Sequence, residues 1–342
     1  MENTINKEFH HYQAAHCENG VTTSLLKNIG IDFITEPLAF GIGAGLFYIH
    51  IPFVEFSGGP AVSYRSMPGS VFNRTCKALQ IPLVRKKFSD EQKAQDFLDD
   101  ALRQHINVGC QVGVFHLDYF PKEYRFHFNG HNLIVYGQED GKYLISDPIM
   151  EETTTLSPEV LNKVRFAKGM IAPKGQIYYP KHAVDISRDT IEKAIVKGIK
   201  INTNFMLNIP TAYIIGAKGI KYTANKVRKL RDKVGIKQAG LYLSQIIRMQ
   251  EEIGTGGGGF RYIYAAFLEQ AYDYIPKEEF LKLSEDITRS GDLWRTSAVQ
   301  MAGIFKGRIT EQKHFYEIAD RMYEISDLEE QVFRKLSKIK LK

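Results

Sequence analysis

The order of textures along the chain constrains its fold most. Strand-like runs stand in the first half: Gln111–Tyr119, His131–Tyr136 and Tyr143–Ile145. The last two are joined by "GQEDGK", whose Asp140-Gly141 step is a strong hairpin signal. After Asp185 the chain reads as helices, at 188–206, 211–232, 238–252, 260–273, 277–289, 291–305 and 310–338, with Pro, Gly or polar residues at the breaks. Two helical patterns precede the strands. One begins at Cys17, lines up Val21, Leu25, Leu26 and Ile29, and stops at Gly30; the other begins after Ser89 as N-cap and lines up Ala94, Phe97, Leu98, Ala101 and Leu102. Helices ahead of an antiparallel sheet, then helices alone, make an α+β domain followed by a mainly helical one. The expected domains are 1–155 and 156–342, with short strand pieces near 169–179 (Gly169–Ala172 and Gln176–Tyr179) available to complete the first sheet. A length of 342 residues suits two domains.

Charge and composition narrow the function classes. Lys and Arg total 45 against 39 Asp and Glu, a net +6 that is too small a surplus for a nucleic-acid binder. One cluster is denser: Lys218, Lys221, Lys226, Arg228, Lys229, Arg231, Lys233 and Lys237. It reads either as a solvated helix face or as a docking face for an acidic partner. Pro37–Val54 lacks Asp, Glu, Lys and Arg, but Gly41, Gly43, Gly45, His50 and Pro52 interrupt it and Glu36 and Glu55 flank it. A buried loop or helix is expected there rather than a membrane span. No apolar run follows the polar N-terminus, so no signal peptide is read, and three cysteines are too few for a disulfide scaffold. Both point to a soluble cytoplasmic protein, and the odd count leaves at least one thiol free.

Cys17 stands in "AAHCENG", directly before a helical pattern. A helix N-terminus favours a thiolate and can hold a developing oxyanion. Such a thiol needs a base and a group that orients the base. His131 in "FNGHNLIVYG" starts one hairpin strand and Asp147 in "YLISDP" follows its partner, so both lie at the open end of the hairpin. The three residue types are those of a Cys–His–Asp triad. On spacing alone, Cys17 could equally be a small buried hydrophobe, as Cys76 and Cys110 are read, and Asp147-Pro148 a plain turn.

Other motifs carry less. "GIGAG" at Gly41–Gly45 is followed by Leu46, so it fails the dinucleotide fingerprint. "GTGGGGFR" at Gly254–Arg261 lacks the Gly-Lys-Ser/Thr of a P-loop but runs into a helix. There Gly257, Gly258 and Arg261 could hold an anion such as a phosphate, or the segment could be an interhelix connection. No CxxC or HExxH spacing offers a metal site. In "DYFPKEYRFHF", Tyr119 and Tyr124 could shape a substrate pocket or simply pack.

Three blocks in order carry a resemblance. Residues 16–46 ("HCENGVTTSLLKNIGIDFITEPLAFGIGAGL"), 118–148 ("DYFPKEYRFHFNGHNLIVYGQEDGKYLISDP") and 253–271 ("IGTGGGGFRYIYAAFLEQA") resemble the butirosin biosynthesis protein H family. The resemblance implies a papain-like N-terminal domain, similar to the bacteriocin-processing peptidase domains of exporters, fused to a helical domain. It implies Cys17 as nucleophile, His131 as general base and Asp147 as its orienter. Papain-like enzymes place a glutamine several residues before the cysteine, which makes Gln13 the oxyanion candidate beside the Cys17 N–H. His16 is expected to be structural or substrate-facing. The implied activity is acyl transfer from an acyl carrier protein thioester to an amine through an acyl-cysteine. It needs no bound cofactor, uses a phosphopantetheine-linked donor, and could dock the carrier at 218–237. The alternatives are a peptidase or amidase with the same triad, and a non-catalytic binding protein on the same fold.

Overall fold

Asp140 and Gly141 both adopt positive φ, 49° and 75°, the geometry of the two-residue turn that best matches strand twist. The turn joins His131–Glu139 to Lys142–Ser146, as expected from the sequence. The computed structural model of the protein describes residues 4–56, 59–207 and 213–339. The chain divides into two units, Met1–Ala39 with Pro68–Ile186, and Phe40–Met67 with Ser187–Lys342. Neither unit is contiguous, which differs from the expected 1–155 and 156–342. The strand Ile177–Pro180 belongs to the first unit because it pairs with both Val108–Val112 and Leu83–Lys86.

The first unit is built on a seven-stranded antiparallel sheet. Its order is Leu83–Lys86, Ile177–Pro180, Val108–Val112, His131–Glu139, Lys142–Ser146 and Thr154–Leu156, with Thr4–Ile5 pairing the far end of His131–Glu139. Val112 stands opposite His131, so the histidine begins the strand at the sheet's rim. Strand alternation sorts the faces. Val108, Cys110, Val112, Leu133 and Val135 share one face with Leu98, Ala101 and Leu102 of helix Glu91–Arg103 and with Leu161 and Val164 of helix Pro158–Arg165. The other face receives helix Cys17–Lys27, in which every residue from Cys17 to Leu26 is buried. A helix with a cysteine at its N-terminus, laid on an antiparallel sheet whose central hairpin carries His and Asp, is the papain-like α+β arrangement.

Local chemistry explains the ends of these helices. His16 is the N-cap of Cys17–Lys27, extended at φ −131° and ψ 132°, and its Nδ1 accepts from the Asn19 N–H at 3.3 Å. The cap of Glu91–Arg103 is Asp90 rather than Ser89; its carboxylate accepts from the Lys93 N–H at 2.8 Å. The buried Glu18 accepts from the Val71 N–H at 2.8 Å and so caps helix Ser70–Ala78, whose own N-cap Gly69 has no side chain to do it.

Two expected strands are shorter or absent. Gln111–Tyr119 keeps its ladder only to Val112, because the Gly113 N–H turns to the Val164 carbonyl. Gly169–Ala172 is a turn, with Gly169 at φ 114° and Ile171 at φ 56°.

In the second unit the uncharged stretch after Pro37 is neither a loop nor a single helix. It passes from helix Glu36–Ile42 into a hairpin, Leu46–Phe56 with Gly59–Arg65. Tyr48 and Tyr64 of that hairpin pack on Trp294. Around it run helices Arg188–Leu207, Gly216–Arg228, Leu230–Ile247, Arg261–Tyr274, Glu279–Phe305 and Gln312–Leu336. The two helices expected at 277–289 and 291–305 are one, since Gly291 continues the helix and its missing side chain admits Tyr262. The first residues of the helix expected at 211–232, 211 and 212, lie outside the described residues. Among the described residues no helix is long and apolar enough to cross a membrane.

Candidate active site

The site is assembled at the rim of the first unit's sheet. His131 Nε2 lies 2.6 Å from Asp147 Oδ2, and both side chains are buried. The same oxygen accepts from the Tyr119 hydroxyl at 2.7 Å, and Asp147 Oδ1 accepts from the Ile149 N–H at 3.3 Å. Asp147 thus accepts three hydrogen bonds and fixes the imidazole. With Nε2 committed, Nδ1 is the nitrogen left for the thiol, and the His131 ring hydrogen-bonds Cys17. From the other side His16 Nε2 stands 4.0 Å from Cys17 Sγ. Because His16 Nδ1 accepts from Asn19, Nε2 carries the proton and points it at the sulfur.

The helix and the Asp147 turn are locked together at Gly20. A Cβ there would lie 2.4 Å from Pro148 Cβ and 2.7 Å from Ala14 Cβ, so only glycine admits the turn. The Ala14 N–H donates to the Pro148 carbonyl at 2.7 Å. His11 completes the clasp, with Nδ1 at 2.8 Å from Ser146 Oγ and Nε2 at 3.1 Å from the Met150 carbonyl. The approach to the helix is held by Glu36, which accepts from the Ala15 and His16 N–H groups at 2.9 and 2.8 Å. Burial pushes the Glu36 carboxyl up, against the pull of those two bonds.

Electrostatics separates Cys17 from the other two thiols. Burial pushes Cys76 up to about 12 and Cys110 up to about 11. Burial opposes ionisation at Cys17 too, but His16 and His131, by charge and by hydrogen bond, outweigh it and hold the thiol well below its usual range. At His131 burial opposes protonation, and Asp147 followed by Cys17 raises it to about 10. Both shifts favour thiolate beside imidazolium, the form in which the sulfur is a nucleophile and the ring can give a proton to a leaving group.

The other expected site residues are placed differently. Gln13, read as the oxyanion donor, is exposed. The amide beside the sulfur is that of buried Asn132, whose Nδ2 is 3.9 Å from Sγ. Tyr178 donates to Asn132 Oδ1 at 2.8 Å and so turns the amide's N–H toward the thiol. Asn132 escaped sequence reasoning because it lies on the opposite face from His131 and Leu133; its one signal was a polar residue inside an apolar strand. Tyr119 serves Asp147 with its hydroxyl, and Tyr124 is 58% exposed on a short 3-10 turn.

The glycine segment of the second unit does bind an anion, but one of the chain's own. The Gly258 N–H donates to the Glu251 carboxylate at 3.2 Å and the Gly257 N–H to Thr255 Oγ1 at 3.0 Å. Arg261 is fully buried, forked onto Glu329 by two 2.8 Å bonds, with Tyr64 and Trp294 beside its guanidinium. The Gly257 and Gly258 N–H groups and the Arg261 guanidinium are thus already engaged within the chain. Among the described residues no group of His, Cys, Asp and Glu could hold a metal ion.

Fold and site define a protein of the papain-like cysteine class. Residues 16–148 match the family model for the butirosin biosynthesis protein H N-terminal domain, and residues 159–336 match that of a domain of unknown function, DUF4872. The chain thus carries a butirosin biosynthesis protein H N-terminal domain followed by a DUF4872 domain. No curated protein matches it. A solved structure described as a C39-like peptidase from Bacillus anthracis is similar to 54% of this chain and 100% of its own, at 11% identity and a TM-score of 0.37. The class rests instead on this chain's own helix, hairpin and family.

Proposed function

We propose that the protein is a cysteine-dependent acyltransferase. The observation that carries the reading is the buried Cys17 thiol held between two histidines, one of them fixed by Asp147. The thiolate attacks the carbonyl of a carrier-borne or pantetheine thioester. The Cys17 N–H, at the helix N-terminus, is the backbone donor for the oxyanion that forms. The carbon–sulfur bond of the donor breaks, the leaving thiolate takes the proton of His131, and an acyl-Cys17 remains. An amine then attacks that thioester, His131 takes its proton, and amide and Cys17 thiolate are released. One thioester replaces another in the first half, so the intermediate is not a deep energy well.

The charged face fits a carrier in part. Lys218, Lys226, Lys229, Lys233 and Lys237 are exposed, whereas Arg228 is paired with Asp320 and Lys221 stands 3.9 Å from Asp327. An acidic carrier would therefore be read by the lysines. The reading is tested by product analysis with an acyl-pantetheine thioester, with and without a primary amine. Amide formation that requires both Cys17 and the amine supports it. Acid release at the same rate in either case overturns it in favour of a hydrolase.

A further inference from the structure

Just beyond the strand ends at Val112 and His131, the first unit has a cavity of about 280 Å³. Its floor is tightly built. A Cβ on Gly113 would lie 2.6 Å from Ala167 Cβ and 2.7 Å from Asn129 Oδ1, so the glycine is what lets these segments meet. Buried Asn129 donates to the Lys168 and Met170 carbonyls at 3.1 and 3.0 Å, and the Gly113 N–H donates to the Val164 carbonyl at 2.8 Å. Lys163 and Lys168 stand on one wall. On the other, Phe115 stacks on His127 at 4.1 Å and meets the edge of His116 at 4.8 Å.

Four groups able to carry positive charge thus line one cavity that no Asp or Glu lines. Such a cluster costs energy in like-charge repulsion unless an anion completes it. The strain registers at His116, which burial, then Lys163 and His127, hold below the usual imidazole range. We propose that this cavity binds the phosphate of a small phosphate ester, with Lys163 and Lys168 as charged partners, His116 and His127 as donors, and Phe115 against the ester's carbon chain. A phosphate suits the site better than a carboxylate, because its oxygens and near-double charge can engage donors from both walls at once. The volume leaves room for the adjoining carbon chain.

The proposal does not depend on acyl transfer, and its test is a binding measurement on the full chain. Isothermal titration with 4′-phosphopantetheine is compared with pantetheine, the same molecule without the phosphate. The expected result is binding of the phosphorylated probe at least tenfold tighter, displaced by inorganic phosphate. Combining Lys163→Glu with Lys168→Glu should weaken that binding at least tenfold; both side chains are exposed, so the fold should hold, and an unchanged iodoacetamide rate at Cys17 checks it. Equal binding of the two probes, binding of neither, or binding that survives the double variant overturns the proposal.

Discussion

At Cys17 opposed effects meet: burial drives a thiol up, and two neighbouring imidazoles drive it down. Iodoacetamide at pH 7 should therefore modify Cys17 in the folded protein well ahead of Cys76 and Cys110, as read by peptide mass mapping; equal rates contradict the assignment. His131→Ala should raise the thiol and slow that alkylation at least tenfold. The pH dependence has a definite sign. His131 is raised to about 10, so its proton is present at neutral pH and lost as pH climbs through that value. Steps that need His131 as an acid should decline above about pH 10, whereas alkylation, which needs only thiolate, should not. Asn132→Ala removes a donor to a charged sulfur, about 1.5 kcal/mol, and should move the midpoint of alkylation up by about one pH unit; an unmoved midpoint denies Asn132 that role. Glu329→Ala would strand the buried Arg261 guanidinium at a cost of about 3–5 kcal/mol. Near-wild-type stability in urea would contradict the structural reading of Arg261. Cys17, His131 and Asp147 were legible because each stands at the end of an element with a local signature. Asn132 and Glu36 were not, since their roles depend on which chain segment lies across from them.

Between elements, the contact that matters most is the Asp147-Pro148 turn seated on helix Cys17–Lys27 at Gly20. Alanine normally gains about 1 kcal/mol over glycine inside a helix. Here the added methyl meets Pro148 and Ala14, and overpacking of about 1–3 kcal/mol should win. Gly20→Ala should thus lower the urea midpoint and, by pushing Asp147 away from His131, slow Cys17 alkylation. A stabilised variant with unchanged alkylation would show that the turn has slack. The hairpin that carries His131 and Asp147 was readable because Asp140-Gly141 states its turn chemically. The hairpin at Leu46–Arg65 was not: its first strand is uncharged up to Glu55, and periodicity cannot tell such a run from a buried helix. The expected helices 277–289 and 291–305 are one continuous helix, in which Ser290 is no break and Gly291 is used for packing against Tyr262.

For the whole molecule, the order of textures predicted the α+β half and the helical half but not that each unit is discontinuous. Strand Ile177–Pro180 returns to the first sheet after a helix, and the hairpin after Pro37 joins the helical unit. Both are pairings between distant segments, which no local pattern records. The central claim, that the first unit is a papain-like scaffold presenting an acyl-accepting cysteine, is tested most directly by intact-protein mass spectrometry after mixing with an acyl-pantetheine thioester. The account predicts a mass increase of one acyl group, abolished by Cys17→Ala and kept by Cys76→Ala and Cys110→Ala. The absence of any adduct with a range of thioesters, or an adduct that survives Cys17→Ala, would contradict it.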